Sequence, residues 1–194
     1  MRKAILAGTM MLSLAAVPAI ARQQPTTGDK TQKSDTGSDQ AFVMKVAKGG
    51  LAEVQLGQLA ADKASSDEVK KFGQRMVSDH TKANDELKGL AQRKNITLPT
   101  DVDAKDKATH DRLAKLSGAA FDRAYMQHMV TDHRMVVNEF KKESTTGKDD
   151  DVKAWASKTL PTIEEHLKMA QDTNKAVGTS GSTTARKKGT SGRK

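Results

Sequence analysis

The sequence predicts an all-α protein whose four long helices pack side by side as a bundle. Residues that favour helices, chiefly Ala, Lys, Leu, Gln, Glu and Met, are common, whereas aromatic residues make up only 3% of the 194 residues. Four long segments repeat apolar residues at alternating spacings of three and four, which is the period of one helix face. Runs of β-branched and aromatic residues are scarce, so the composition disfavours a sheet.

The chain begins with the layout of a secretory signal peptide, which predicts that residues 1–21 are removed. Arg2 and Lys3 precede an apolar run, and Ala19-Ile20-Ala21 is a small-x-small cleavage site. We therefore expect cleavage after Ala21 and a periplasmic or otherwise exported protein. Retention of this segment as a membrane anchor is the alternative. The absence of cysteine excludes a disulfide framework and thiolate metal ligands.

The first elements after the signal peptide follow from composition and capping residues. Residues 22–38 are polar and contain Gly, Pro and Ser, which predicts a disordered linker. The first long helix is expected over about 39–64. The second is expected to begin at a capping box formed by Ser65 and Glu68, and to extend to about residue 94.

A long connection separates the second and third long helices, and a short extra helix is expected within it over about 103–116. The third long helix should end near residue 144, and the fourth should cover about 149–177 with a kink or short interruption at Pro161. Two short turns and one long crossover define the ferritin-like variant of the four-helix bundle, which would span residues 39–177. A plain up-down-up-down bundle is the alternative.

Residues 178–194 are predicted to form a disordered basic tail, in a chain whose formal net charge is +9. Its five cationic residues are interspersed with Gly, Ser and Thr. The tail either improves solubility or attaches the protein to anionic envelope polymers or a lipid surface. No aromatic residues alternate with these charges, so the tail carries no specific nucleic-acid signal.

Each of the four predicted core stripes carries an ionisable residue, namely Glu53, His80, His133 and His166, and Asp122 is a fifth. At about 1.5 Å of rise per residue, the first four are expected at a similar height near the middle of the bundle. Because unpaired buried charges are costly, a divalent cation would satisfy them together. One carboxylate and three imidazoles suit Zn²⁺, Fe²⁺ or Cu²⁺. A metal-free layer of Glu–His and Asp–His hydrogen bonds is the alternative.

Other polar and sulfur-containing residues surround this predicted layer. Asp79 and Asp132 precede two of the histidines, and we expect them to orient side chains from outside the stripes. His110 and His128 lie off the stripes, so we do not expect them to bind metal. Methionines of the third long helix leave a copper site open as a further interpretation, since thioethers and imidazoles suit Cu(I).

A series of short motifs resembles domain-of-unknown-function family 4142 over about residues 40–176. The motifs are Phe42 with GlyGlyLeuAlaGluVal at 49–54, MetValSerAspHis at 76–80, Leu98-Pro99, Gly118 with PheAspArgAlaTyr at 121–125, the segment through His133, and Leu160-Pro161 with His166-Leu167. The resemblance implies an exported bacterial domain with a ferritin-like bundle, often labelled an outer-membrane protein, without a settled activity. The positions that match the recurring motif are Glu53, His80, Asp122, Tyr125, His133 and His166, so Asp122 and Tyr125 become additional candidate ligands.

The sequence departs from ferritin-like di-iron proteins, which use two Glu-x-x-His motifs. Val77 and Ile163 stand three residues before His80 and His166, which disfavours di-iron oxidase and iron-storage chemistry. No Ser-His-Asp series, phosphate loop or cofactor fingerprint is found, so an enzyme is not favoured. We expect an exported bundle that binds a divalent transition metal in metal handling or envelope stress. A metal-free structural or interaction protein that contacts anionic envelope components through its basic tail is the alternative.

Overall fold

The computed structural model describes the backbone of residues 32–187 and the side chains of residues 37–179. The predicted signal peptide and the first part of the predicted linker lie outside the described residues. All regular elements in the described part of the chain are helices. They are α1 (Gln32–Lys63), α2 (Asp67–Arg93), α3 (Ala104–Ala114), α4 (Gly118–Thr146) and α5 (Asp150–Lys187).

The outer ends of the bundle are more helical than the composition suggests. Helix α1 begins at Gln32, so it takes up part of the segment expected to be a linker, and α5 continues to Lys187, well into the segment expected to be a tail. Helix α5 also passes Pro161 without the predicted interruption. Proline removes the donor that the carbonyl of Ser157 would accept. Ser157 is exposed, so water can replace that donor.

The directions of the helices establish the long crossover. Ser65 meets Asp122 near the starts of α2 and α4, and His80 meets His133 further along both helices, so α2 and α4 are parallel. A plain up-down-up-down bundle would make these two helices antiparallel. Helix α1 packs mainly on α2, and α4 packs mainly on α5. The fold is therefore the ferritin-like bundle of two helical hairpins joined by one crossover.

Helix α3 lies within the crossover and is held against the bundle. Its Leu113 side chain is fully buried in the apolar core. The Lys63 ammonium group at the end of α1 donates to the carbonyl oxygen of Ala114. The Asp103 carboxylate accepts from the backbone N–H groups of Lys105 and Asp106, which caps the start of α3. The contacts of Leu113 and Ala114 hold the end of α3 against the bundle.

The start of α2 differs from the predicted capping box. Ser66, not Ser65, is the N-cap residue, and its hydroxyl oxygen accepts from the backbone N–H of Val69. The Asp122 carboxylate of α4 accepts from the backbone N–H groups of both serines and from the Ser65 hydroxyl. Asp122 therefore reinforces a helix start, because its oxygens satisfy donors that have no partner within α2. This contact also fixes α4 against α2.

Two apolar clusters divide the interior along the bundle axis. One cluster contains Leu56, Met76, Met129 and Ala170, and the other contains Ala47, Leu87, Val137 and Ile163, among others. On each long helix, the ionisable stripe residue lies between a member of one cluster and a member of the other. The bundle thus has a polar layer between two apolar halves. No described helix is long and apolar enough to cross a membrane.

Candidate metal centre

Three histidines from three long helices meet in the polar layer. His80 of α2, His133 of α4 and His166 of α5 are buried, and one ring nitrogen of each lies within 4.8 Å of one from each of the others. Their ring centroids are 5.3 to 5.9 Å apart. The convergence follows from the sequence, because each histidine occupies an inward-facing position of its own helix. Three imidazoles at this spacing can surround one metal ion.

The imidazole of His133 has a defined orientation. Its Nδ1 lies 3.1 Å from the carbonyl oxygen of Met129, one turn earlier in α4. A carbonyl can only accept, so Nδ1 carries the proton and donates it. The lone pair of the neutral ring is then on Nε2, which is buried and has no hydrogen-bond partner. This nitrogen is available to a metal ion.

The imidazole of His166 is oriented by a carboxylate of the neighbouring helix. Its Nε2 lies 2.9 Å from Oδ2 of Asp79, which also accepts from the guanidinium of Arg75. Nε2 therefore donates to Asp79, and the lone pair is on Nδ1, which is buried without a partner. A carboxylate behind a histidine in this way is the usual support of a metal-binding imidazole. The predicted orienting role of Asp79 agrees with this geometry, although the histidine it contacts is His166, not the adjacent His80.

Burial disfavours the protonated form of all three rings. Burial, followed by the charges of the other two histidines, lowers the pKa of His80 well below 6.5. Burial and the neighbouring His166 lower the pKa of His133 to about 4. Burial also lowers the pKa of His166, against the opposing effect of the hydrogen bond to Asp79. Neutral rings are the form that binds metal, and the Nε2 atom of His80 also lacks a hydrogen-bond partner.

Glu53 lies in the same layer, beside Nδ1 of the His133 ring. Its Oε1 is 3.9 Å from this nitrogen, which donates to Met129. Glu53 groups with Asp132 and His133 within 4.8 Å, and not with His80 and His166. The four predicted ligands therefore fall into two groups that share His133.

The Glu53 carboxyl group is strongly perturbed. Burial, followed by the charge of Asp132 and a hydrogen bond with it, raises the pKa of Glu53 well above 4.5. Its Oε2 atom has no hydrogen-bond partner. Asp132, which was expected to orient a side chain from outside the stripes, contacts this carboxyl group. Sequence spacing alone does not give this contact, because it joins residues that face each other across α1 and α4.

The remaining predicted candidates lie in different surroundings. Asp122 is three helical turns before His133, about 16 Å along α4 at 1.5 Å per residue, and its oxygens are already used at the start of α2. Tyr125 is fully buried, and its hydroxyl has no hydrogen-bond partner. Burial and the Glu53 charge raise the pKa of Tyr125 well above 10. His128 lines the cavity beside Asp132, whereas Nδ1 of His110 lies 3.5 Å from a carboxylate oxygen of its neighbour Asp111.

A family comparison covers most of the chain. The model of a domain of unknown function, DUF4142, matches residues 23–173. The chain belongs to the DUF4142 family. This confirms the family suggested by the ordered motifs, and every residue of the three-histidine group and of the Glu53 group lies within the matched segment of this DUF4142 protein.

A solved structure shares the bundle fold of this DUF4142 protein. It is the crystal structure of a DUF305 protein from Streptomyces coelicolor that is described as secreted. The two chains are 16% identical and superpose with a TM-score of 0.61, over 73% of this chain and 94% of the other. At this identity the similarity shows the fold alone. No curated protein matches the sequence.

Proposed function

We propose that this protein binds one transition-metal dication at the centre formed by His80, His133 and His166. The observation that carries the proposal is that each buried ring presents a nitrogen without a hydrogen-bond partner. A buried polar atom without a partner costs about 1–3 kcal/mol. Three such atoms within one small volume are therefore expensive unless a ligand satisfies them. One metal ion would accept all three lone pairs.

The supporting hydrogen bonds favour metal binding over a metal-free polar layer. A metal-free layer of Glu–His and Asp–His hydrogen bonds would give each buried ring nitrogen a partner. The Asp79–His166 bond is of this kind, and His133 donates to the Met129 carbonyl, yet one nitrogen of each of the three rings has no hydrogen-bond partner. A cation would satisfy these nitrogens, whereas the hydrogen bonds present do not.

The donor set selects a class of metal. Three neutral imidazoles suit Zn²⁺ and Cu²⁺, and also Fe²⁺ where further oxygen ligands are present. Mg²⁺ and Ca²⁺ prefer oxygen ligands, so they fit poorly. Three histidines leave a tetrahedral ion with one position for water or an exchangeable ligand. We therefore infer a role in binding and handling of a borderline metal ion, with Zn²⁺ as the test ion.

Export is part of the proposal. The signal-peptide pattern of residues 1–21 supports it, and so does the fold shared with a protein described as secreted. The mature chain from Arg22 would then bind metal in the periplasm or elsewhere in the envelope. That location suits metal handling in metal limitation or excess.

Calorimetric titration of the mature chain with Zn²⁺ tests the proposal. We expect one tightly bound Zn²⁺ per chain, and loss of that binding in the His80→Ala, His133→Ala double variant. His110→Ala is the matched control, because His110 belongs to neither group of candidate ligands and its ring pairs with Asp111. Absence of stoichiometric Zn²⁺ and Cu²⁺ binding, or equal loss in His110→Ala, would contradict the proposal.

A further inference from the structure

Glu53 and Asp132 form an acidic pair that no cation of the protein neutralises. In the part of the chain that the structure describes, neither carboxylate forms an ion pair with a lysine or arginine. On the same two helices, Glu139 of α4 does have such a partner, because it contacts Lys45 of α1. In the described part of the chain, the charge of the acidic pair is therefore not compensated by a lysine or arginine.

The polar atoms around the pair point to a missing ligand. Only 5% of Glu53 is exposed, and its Oε2 atom has no hydrogen-bond partner. The Tyr125 hydroxyl, from a fully buried side chain, also lacks a partner, and its phenol is close enough to feel the Glu53 charge. Two buried polar groups that interact with each other electrostatically are thus without hydrogen-bond partners. Such groups normally have a protein, water or ion partner.

A cavity connects this position with solvent. Its volume is about 490 Å³, and Glu53, Asp132 and His133 are among the residues that line it. The exposed side chains of Lys105 and Met135 also line it, so a hydrated ion can reach the carboxylates. Half-buried Asp106 of α3 is one of the further carboxylates in the lining. A cation can therefore approach without passing through the apolar core.

We propose that Glu53 and Asp132 form a second cation site, specific for a hard divalent ion of the Mn²⁺ class and separate from the three-histidine centre. A neutral imidazole has one lone pair, and that of His133 is on Nε2, so His133 cannot serve both sites at once. The second site consequently uses carboxylate oxygens and water, which are the ligands that Mn²⁺ and Mg²⁺ prefer. Its oxygen ligands lie within 4.8 Å of each other and of a His133 ring nitrogen.

This proposal goes beyond the three-histidine proposal, because each site uses ligands that the other does not need. Titration with Mn²⁺, followed by the electron paramagnetic resonance signal of the free ion, tests it on the mature chain. We expect the wild-type chain to bind one Mn²⁺. The Glu53→Gln, Asp132→Asn double variant should bind Mn²⁺ at least tenfold more weakly while its Zn²⁺ binding persists.

Two further variants make the result specific. His80→Ala, His166→Ala should keep Mn²⁺ binding within about threefold of wild type, because neither residue belongs to the second site. Asp85→Asn, Asp111→Asn removes two exposed carboxylates and should also keep Mn²⁺ binding. If the double carboxylate variant does not fold by circular dichroism, Asp132→Asn alone should weaken Mn²⁺ binding at least fivefold.

Three outcomes would overturn the second site. They are no Mn²⁺ binding by the wild-type chain at millimolar concentration, unchanged Mn²⁺ binding in the carboxylate variants, and loss of Mn²⁺ binding in His80→Ala, His166→Ala. The first would mean that a proton alone joins the two carboxyl groups. The last would place Mn²⁺ in the three-histidine centre. Zn²⁺ binding of the carboxylate variants reports separately on that centre.

Discussion

Asp79→Asn should weaken metal binding by altering the orientation of His166. The Asp79 carboxylate only accepts hydrogen bonds, so it fixes the proton of His166 on Nε2 and leaves the lone pair on Nδ1. An Asn side chain can instead present its NH₂ group to Nε2. That contact would move the ring proton to Nδ1 and block the nitrogen that faces the centre. The substitution leaves size and burial almost unchanged.

The expected magnitude follows from the geometry of this contact. Loss of a group that orients a metal ligand typically lowers affinity about 10–100-fold. Arg75 and His166 share the same Asp79 oxygen, and the Asp79 side chain is 20% exposed. Water can therefore replace part of the lost interaction. We expect the lower part of the range, about tenfold or about 1.4 kcal/mol.

Competition between the protein and a chromogenic chelator for Zn²⁺ measures this difference directly. Asp172→Asn is the matched control, because Asp172 forms an i,i+4 ion pair with Lys168 but lies on the exposed surface of α5. Its Zn²⁺ affinity should equal that of wild type. An Asp79→Asn variant whose affinity stays within twofold of wild type, or an equal loss in Asp172→Asn, would refute the proposed orienting role.

Four further variants test packing, capping and protonation. Gly73→Ala should lower the free energy of unfolding by about 1–3 kcal/mol, because a Cβ there would lie 2.6 Å from the backbone oxygen of Gly57. At Gly49 a Cβ would meet nothing within 4 Å, so Gly49→Ala should raise the free energy of unfolding by up to about 1 kcal/mol. Urea unfolding measures both variants, and equal effects at the two positions would contradict this packing. Asp122→Ala should cost about 2 kcal/mol in the same assay through the loss of three hydrogen bonds at the start of α2, with unchanged Zn²⁺ affinity. The pKa of His133 falls from 6.5 to about 4 on folding, so the unfolded chain takes up a proton at this ring before the folded chain does. The free energy of unfolding is therefore unaffected by this ring above pH 6.5 and decreases as the pH falls towards 4. In chelator, wild type should therefore lose roughly 3 kcal/mol more than His133→Leu between pH 7 and pH 4, and parallel pH profiles would rule this out.

Much of the fold was predictable because the helix-favouring composition, the spacing of apolar residues and the lengths of the connections all indicate the same bundle. The long segment between the second and third long helices predicted the crossover, and the parallel α2 and α4 confirm it. The ends were less predictable. Composition around residues 32–38 and 178–187 indicated disorder, yet the backbone there is helical. The N-cap residue of α2 is Ser66 and not the predicted Ser65. Ser65 donates to Asp122, which is distant in sequence, so local spacing did not reveal this contact.

The site was predictable to the extent that it depends on helix faces. The three histidines converge because inward positions at one height must meet in a bundle. The division between the histidines and Glu53 depends on distances between side-chain atoms, which periodicity does not fix. The repeated Asp-His pairs at 79–80 and 132–133 did indicate residues of the site. In each pair the histidine enters the centre, and the aspartate contacts a residue of a different helix.

Anomalous diffraction from crystals of the mature chain grown with Zn²⁺ would test the central claim most directly. The account predicts one strong peak at the zinc edge, about 2.0–2.1 Å from a ring nitrogen of His80, of His133 and of His166. A peak bound only by exposed residues, or an empty centre whose three rings hydrogen-bond to one another, would contradict it.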